Sequence, residues 1–159
     1  MSKRMISSEQ KMFLVVEVYD RLNQSQKEKF ATACAERVIL WAGLNEVAID
    51  ERSVQAIVAA ERRMGDAIGF SSYDLAIQGA YDATHKARVQ MSLSSQPANS
   101  KSVHQVAVAK IAHDFIAKVG TPSEHQPILV CARMLGEKEV EWQLDRVRSL
   151  VAEQKRDGG

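Results

Sequence analysis

Asp74, Gln78, Tyr81, His85 and Arg88 follow one another at spacings of four, three, four and three residues. On an α-helix that spacing aligns them in a single polar stripe. A carboxylate, an amide, a phenol, an imidazole that titrates near neutrality and a guanidinium could together make a pH-dependent, hydrogen-bonding contact. Asp82 beside His85 and Arg88 adds the elements of an acid, a base and an anion clamp. No Ser or Cys stands next to them in a nucleophile motif, and no glycine-rich phosphate loop occurs. Polar stripes on helices are usually solvated faces or inter-helix networks, so the stripe does not read as a catalytic site, and no enzyme activity is expected.

The remaining reactive groups are scattered. Glu61 falls in an apolar helical stripe, where a carboxylate must be paired, hydrogen-bonded or protonated. It is read either as reaching a bundle edge or an arginine, or as facing a partner or a metal. A di-metal helical bundle needs two Glu-x-x-His motifs, which the chain lacks. His104 and His113, nine residues apart on one helix, lie on opposite sides of it and cannot share an ion. No metal and no cofactor is expected, and His104 reads as a core histidine. Cys34 and Cys131 sit in apolar patterns and read as small buried hydrophobes in a reducing compartment. Trp142, on the polar side of the last helix, is either packed against a neighbour's edge or part of a binding surface.

Helices must position these groups. The periodicity predicts an all-α, single-domain bundle of about seven helices over residues 1–159, with frayed ends at 1–7 and 153–159 and an exposed loop at 92–102. Ser8 to Asn23 carries Met12, Val15, Val16, Tyr19 and Leu22 on one face, widened by Phe13 and Val18. Ser25 to Glu28 reads as a capping box opening a second helix with Phe30, Cys34, Val38 and Trp41, which Gly43 ends. Asp50 caps a third helix whose stripe is Val54, Ile57, Val58, Met64, Gly65 and Ile68. A short loop at Gly69 makes it an antiparallel hairpin with the helix from Ser71 to Leu93. That fourth helix has a smooth face of Tyr73, Ala76, Ile77, Ala80, Ala83, Thr84, Ala87 and Met91. With Gly79, those small residues predict a helix at the centre of the bundle. A fifth helix carries Val108, Ile111, Ala112 and Phe115. Thr121 to Glu124 is a second capping-box pattern, so the sixth helix starts either there or at Pro127, and it ends at Leu135. The last helix carries Val140, Leu144, Val147 and Val151.

Bulk properties narrow the function further. Among 159 residues, 21 basic side chains face 20 acidic ones, and no quarter of the chain departs from neutrality by more than two charges. Such a balance supplies neither the basic field that nucleic acid selects nor an acidic mimic of it. No apolar run approaches the roughly 18 residues of a membrane span, and the first residues lack a signal-peptide core, so a cytoplasmic protein is expected.

Several stretches, in order, resemble one family. Cys34-Ala35-Glu36-Arg37-Val38, Asp50-Glu51-Arg52, Ala56-Ile57-Val58-Ala59-Ala60, Gly65-Asp66 and Ala83-Thr84-His85-Lys86-Ala87-Arg88 lead to Glu139-Val140-Glu141-Trp142-Gln143-Leu144-Asp145-Arg146. Together they are similar to an all-helical family of immunity proteins from bacterial polymorphic toxin systems, over about residues 30 to 150. Two departures are Met64, where the family often has tryptophan, and Tyr81 with Asp82, which interrupt its longer alanine run. The resemblance implies a non-enzymatic protein that binds a cognate toxin or effector domain and blocks its active site or substrate access. Under that implication the partner-binding candidates are Arg62, Arg63, Asp74, Tyr81, His85, Arg88 and Trp142. A helical adaptor or effector chaperone binding another protein is the alternative, and a homo-oligomer stays open.

Overall fold

The computed structural model describes residues 7–65, 69–93 and 100–158, and among them the chain is all-helical. Seven helices follow in order: α1 (Ser8–Tyr19), α2 (Gln24–Leu44), α3 (Glu51–Met64), α4 (Phe70–Leu93), α5 (Ser100–Ala117), α6 (His125–Leu135) and α7 (Glu137–Gly158). They share one core, in which Phe30, Cys34 and Val38 of α2 meet Phe115 of α5, Ile128 and Cys131 of α6, and Val147 and Leu150 of α7. Both cysteines are fully buried and unbridged, in keeping with their apolar surroundings. Burial pushes each thiol above its ordinary range. No helix is long and apolar enough to cross a membrane among the described residues.

The order of packing differs from the expected one. α2 touches α3, α5, α6 and α7, whereas α4 packs on α3 and α5 alone among the principal contacts. The alanine-rich helix is thus an outer helix seated in a groove. Its small face does what small side chains permit: Tyr73, Ala80, Ala83, Thr84 and Ala87 are buried against its two neighbours. Close approach of helices follows from side-chain size, but size does not say how many neighbours approach. Both pairings are antiparallel. Arg63 near the end of α3 stacks on Tyr73 near the start of α4, and the Tyr73 hydroxyl donates to the carbonyl of Ile116 at the end of α5 at 3.2 Å.

Helix ends show where local signals were overridden. Asp50 caps α3 as expected, accepting from the Arg52 amide at 2.9 Å. α2 is capped by Asn23 rather than Ser25, the Asn23 side chain accepting from the Gln26 amide at 2.9 Å. At the other end, α2 runs through Gly43 to Leu44, and Glu46 takes the left-handed conformation at φ 55°. Thr121 to Glu124 forms a turn and not a helix start; Pro127 is buried in the first turn of α6, where it forfeits no intrahelical bond. Large side chains placed in apolar stripes are exposed instead at Phe13, Val54 and Val58. The core side of α3 is Ser53, Ala56, Ile57, Ala59 and Ala60.

Where the expected irregular segments are described, they are helical apart from the N-cap residue Ser7. Ser92 and Leu93 belong to α4, residues 100–102 belong to α5, and residues 94–99 lie outside those described, as do residues 1–6 and Ile68. Residues 153–158 continue α7 and are tied down. The Gln154 side chain accepts from the Asn23 amide at 2.7 Å and donates to the Arg21 carbonyl at 3.1 Å, and Lys29 pairs with Glu153 at 3.2 Å.

Candidate partner-binding surface

α4 presents its whole polar stripe to solvent. Asp74, Gln78, Tyr81, Asp82, His85 and Arg88 are exposed, opposite the buried alanine face. Only Gln78 and Asp82 are tied to each other, by a side-chain hydrogen bond of 3.0 Å along the helix. The Tyr81 ring leans edge-on towards His113 of α5 at 5.8 Å between centroids, with 54% of the residue exposed. His113 itself bonds Asp114 at 3.0 Å.

Large apolar side chains interleave with these polar groups. Leu75 is 74% exposed and Leu93 78%, with Val89 also exposed on the same side of α4. Periodicity assigned them to the helix but not to its outward surface; the signal available was that they are bulky side chains lying off the alanine face. The outer side of α3 adds exposed Val54, Val58, Glu61 and Arg62. Arg63 turns inward, its guanidinium carbon 4.4 Å from the centre of the Tyr73 ring. Because α3 and α4 are antiparallel, Arg62 and Arg63 stand near the Asp74 end of the stripe.

Glu61 has left the apolar stripe assigned to it and lies exposed, where it meets Glu36 of α2. A hydrogen bond from one carboxyl to the other, together with desolvation and mutual repulsion, raises the Glu36 carboxyl to about 7. Glu36 is therefore partly protonated in neutral solution.

Trp142 belongs to a different region. α7 packs on α1, α2 and α6, away from α4. The ring is half-buried beneath Arg37 of α2, whose guanidinium carbon lies 4.2 Å from the ring centre. The Arg37 Nε donates to both oxygens of Glu139, at 2.7 and 2.8 Å, and the Glu139 side chain is only 2% exposed. Trp142 thus forms one side of a guanidinium–carboxylate clamp between α2 and α7. A sequence separation of 102 residues hid Arg37 and Glu139 from any local reading.

Other clusters are internally committed. His104 is half-buried, edge-on to Trp41 at 5.3 Å. Asp20, Glu124 and His125 place three possible ligand atoms within 4.8 Å of one another. Glu124, however, already accepts from Tyr19 at 3.0 Å, from the Gly120 amide at 2.8 Å and from the Lys27 ammonium at 2.9 Å, while His125 bonds Asp20 at 2.6 Å. A lysine cation seated on the carboxylate opposes a second cation there. Asp82, His85 and Arg88 stand on an open helix face, which offers no water-excluded volume for acid–base chemistry. Compared with protein-family models, curated proteins and solved structures, the chain matches none.

Proposed function

We propose that the protein binds a folded protein partner through the outer face of α4 and the adjoining side of α3. The partner we propose is a toxin or effector domain, which the protein would neutralise without chemistry of its own, as the sequence resemblance implies. The observation that carries this reading is the composition of the exposed α4 face, where Leu75, Tyr81 and Val89 alternate with Asp74, His85 and Arg88. Apolar and aromatic anchors among polar groups are the make-up of a partner surface.

Size is consistent with this role. Twenty-four residues span roughly 36 Å, and a strip of that length with the exposed side of α3 approaches the roughly 800 Å² that each partner contributes to a standard interface. The face mixes Asp74 and Asp82 with Lys86 and Arg88, so bulk charge does not steer the encounter. Affinity then rests on shape and on Tyr81 and Arg88. The adaptor reading draws on a different place, the groove of about 160 Å³ beside exposed Leu40 and Leu44 on α2, which suits an extended apolar segment rather than a folded domain.

Affinity capture from the native cell with the wild-type chain and with the Tyr81→Ala/Arg88→Ala variant, followed by mass spectrometry, tests the proposal. One toxin or effector protein recovered with wild type and lost with the folded variant supports it. Equal recovery by both removes α4 from the interface. Loss of the partner on Leu44→Asp instead would favour the adaptor reading.

A further inference from the structure

We infer that a cavity between the start of α3, the C-terminal half of α4 and the N-terminal half of α5 binds a small amphipathic carboxylate bearing a hydroxyl or carbonyl group. The cavity holds about 260 Å³. A dry cavity of about 150 Å³ accepts benzene, so this one has room for a single ring with two polar substituents, roughly ten non-hydrogen atoms. Its apolar wall includes Ile49, Ala83, Ala87 and Val108. Alanines there leave empty the volume that larger core residues fill elsewhere in the bundle.

Ser53 points to an occupant. The residue is 1% exposed and lines the cavity, yet its Oγ has no hydrogen-bond partner. A buried hydroxyl left unmade costs about 1–3 kcal/mol. The two buried helical threonines return their hydroxyls to the carbonyl four residues earlier, Thr32 to Glu28 at 2.8 Å and Thr84 to Ala80 at 3.1 Å. Ser53, in the first turn of α3, has no helical carbonyl four residues earlier, and its Oγ stays unpaired beside the cavity.

The rim supplies the charge. Asp50, Lys86, Gln90 and Gln105 line the cavity. Asp50 is occupied by Arg52, whose Nε and Nη2 donate to its two oxygens at 3.0 and 2.9 Å. Lys86 helps to hold the Asp50 carboxyl low but makes no ion pair within 4 Å, and it stands with two side-chain amides that can donate to a ligand carboxylate. An anionic head at Lys86, a flat apolar body against the alanines and a polar tail at Ser53 satisfy every group named. The cavity lies beneath α4, on its alanine side, and shares only Lys86, at the rim, with the proposed partner face.

The probe is 4-hydroxybenzoate, titrated into the full chain and followed by ¹H–¹⁵N chemical shifts, with benzoate and phenol as comparisons. Saturable shifts at the amides of Ser53, Lys86, Ala87 and Gln105 are expected, with a Kd of about 1 mM or tighter. Benzoate, lacking the hydroxyl, and phenol, lacking the carboxylate, should each bind about tenfold more weakly. Lys86→Met should weaken 4-hydroxybenzoate by a similar factor while leaving phenol unaffected, and Ala87→Leu should abolish binding by filling the space. Lys86 is exposed, so its variant decides the matter even where the leucine disturbs packing. A cavity holding water alone would give no saturation by any probe up to about 10 mM, and that result overturns the inference. So would shifts that survive both substitutions unchanged.

Discussion

Arg37→Met offers the sharpest test of how the bundle is held together. The substitution removes the guanidinium but keeps the unbranched stem that crosses Trp142. Glu139, at 2% exposure, would keep a carboxylate whose two oxygens were both satisfied by the Arg37 Nε at 2.7 and 2.8 Å. Breaking a buried pair by removing one partner costs about 3–5 kcal/mol. Arg37 is itself 34% exposed, so water can reach the vacated position and the low end applies, about 3 kcal/mol. Loss of the stacked cation over Trp142 adds about 0.5–1 kcal/mol. In urea, with a slope of about 2 kcal/mol/M, the unfolding midpoint should fall by roughly 1.5–2 M. Arg37→Met/Glu139→Met should recover most of that, because replacing both partners by apolar groups of similar shape is close to neutral. The double-mutant cycle isolates the coupling. A single-variant loss below about 1 kcal/mol, or a double variant no better than the single, would refute the idea that the clamp is a buried interaction.

Further outcomes follow from the same geometry. Desolvation opposes ionisation of Glu124, but donors from Lys27, the Gly120 amide and Tyr19 outweigh it and hold the carboxyl below its ordinary value. Its contribution is therefore complete above the unfolded pKa of about 4.5 and lost as pH falls through the folded one, so acid unfolding should shift to lower pH-sensitivity in Glu124→Gln, read from urea midpoints across that range. Glu36 has the opposite sign: raised to about 7, it favours the folded state below about 4.5 and loses that advantage as pH rises through 7. Glu61→Gln should flatten the loss and return the Glu36 titration, followed by carboxyl NMR, towards the ordinary glutamate value. Gly120→Ala should destabilise by about 1–2 kcal/mol, since φ is +81° and the new Cβ meets the Gln24 amide at 3.1 Å. Gly79→Ala meets only the stem of Arg52 at 3.6–3.8 Å and should raise thermal stability by about 0.5–1 kcal/mol.

Those two glycines show what a sequence can and cannot convey. Gly79 within an alanine face suggested a crowded interior, but α4 is an outer helix and the position has room for a methyl group. The apolar stripe of α7 was legible because Val140, Leu144 and Val147 repeat at the helical period and nothing competes with them. Glu124 was misread as the end of a capping box because two of its three donors, Tyr19 and Lys27, lie 105 and 97 residues away. Asn23 and Ser25 offered alternative caps two residues apart, and only the folded backbone decides between them. At the candidate surface the stripe from Asp74 to Arg88 was legible as one helix face. Trp142 was legible as a residue with a task, but not as the floor beneath Arg37. The cavity beside Ser53 was invisible, since it is made by three helices and by what their side chains fail to fill.

Gln154 fastens α7 to the turn between α1 and α2 through both ends of its amide, and α1 covers its apolar face chiefly with α7 and α6. On a ribosome those partners emerge late. Asn23 and Gln154 are 131 residues apart, which at 5–20 residues per second is a delay of roughly 7 to 26 s. Throughout it Val15 and Val18 have no α7 to pack on, while α3, α4 and α5 emerge as neighbours and can close their two hairpins at once. The segment most in need of shelter during synthesis is thus α1, and the last bonds to form are those that return the chain to its beginning.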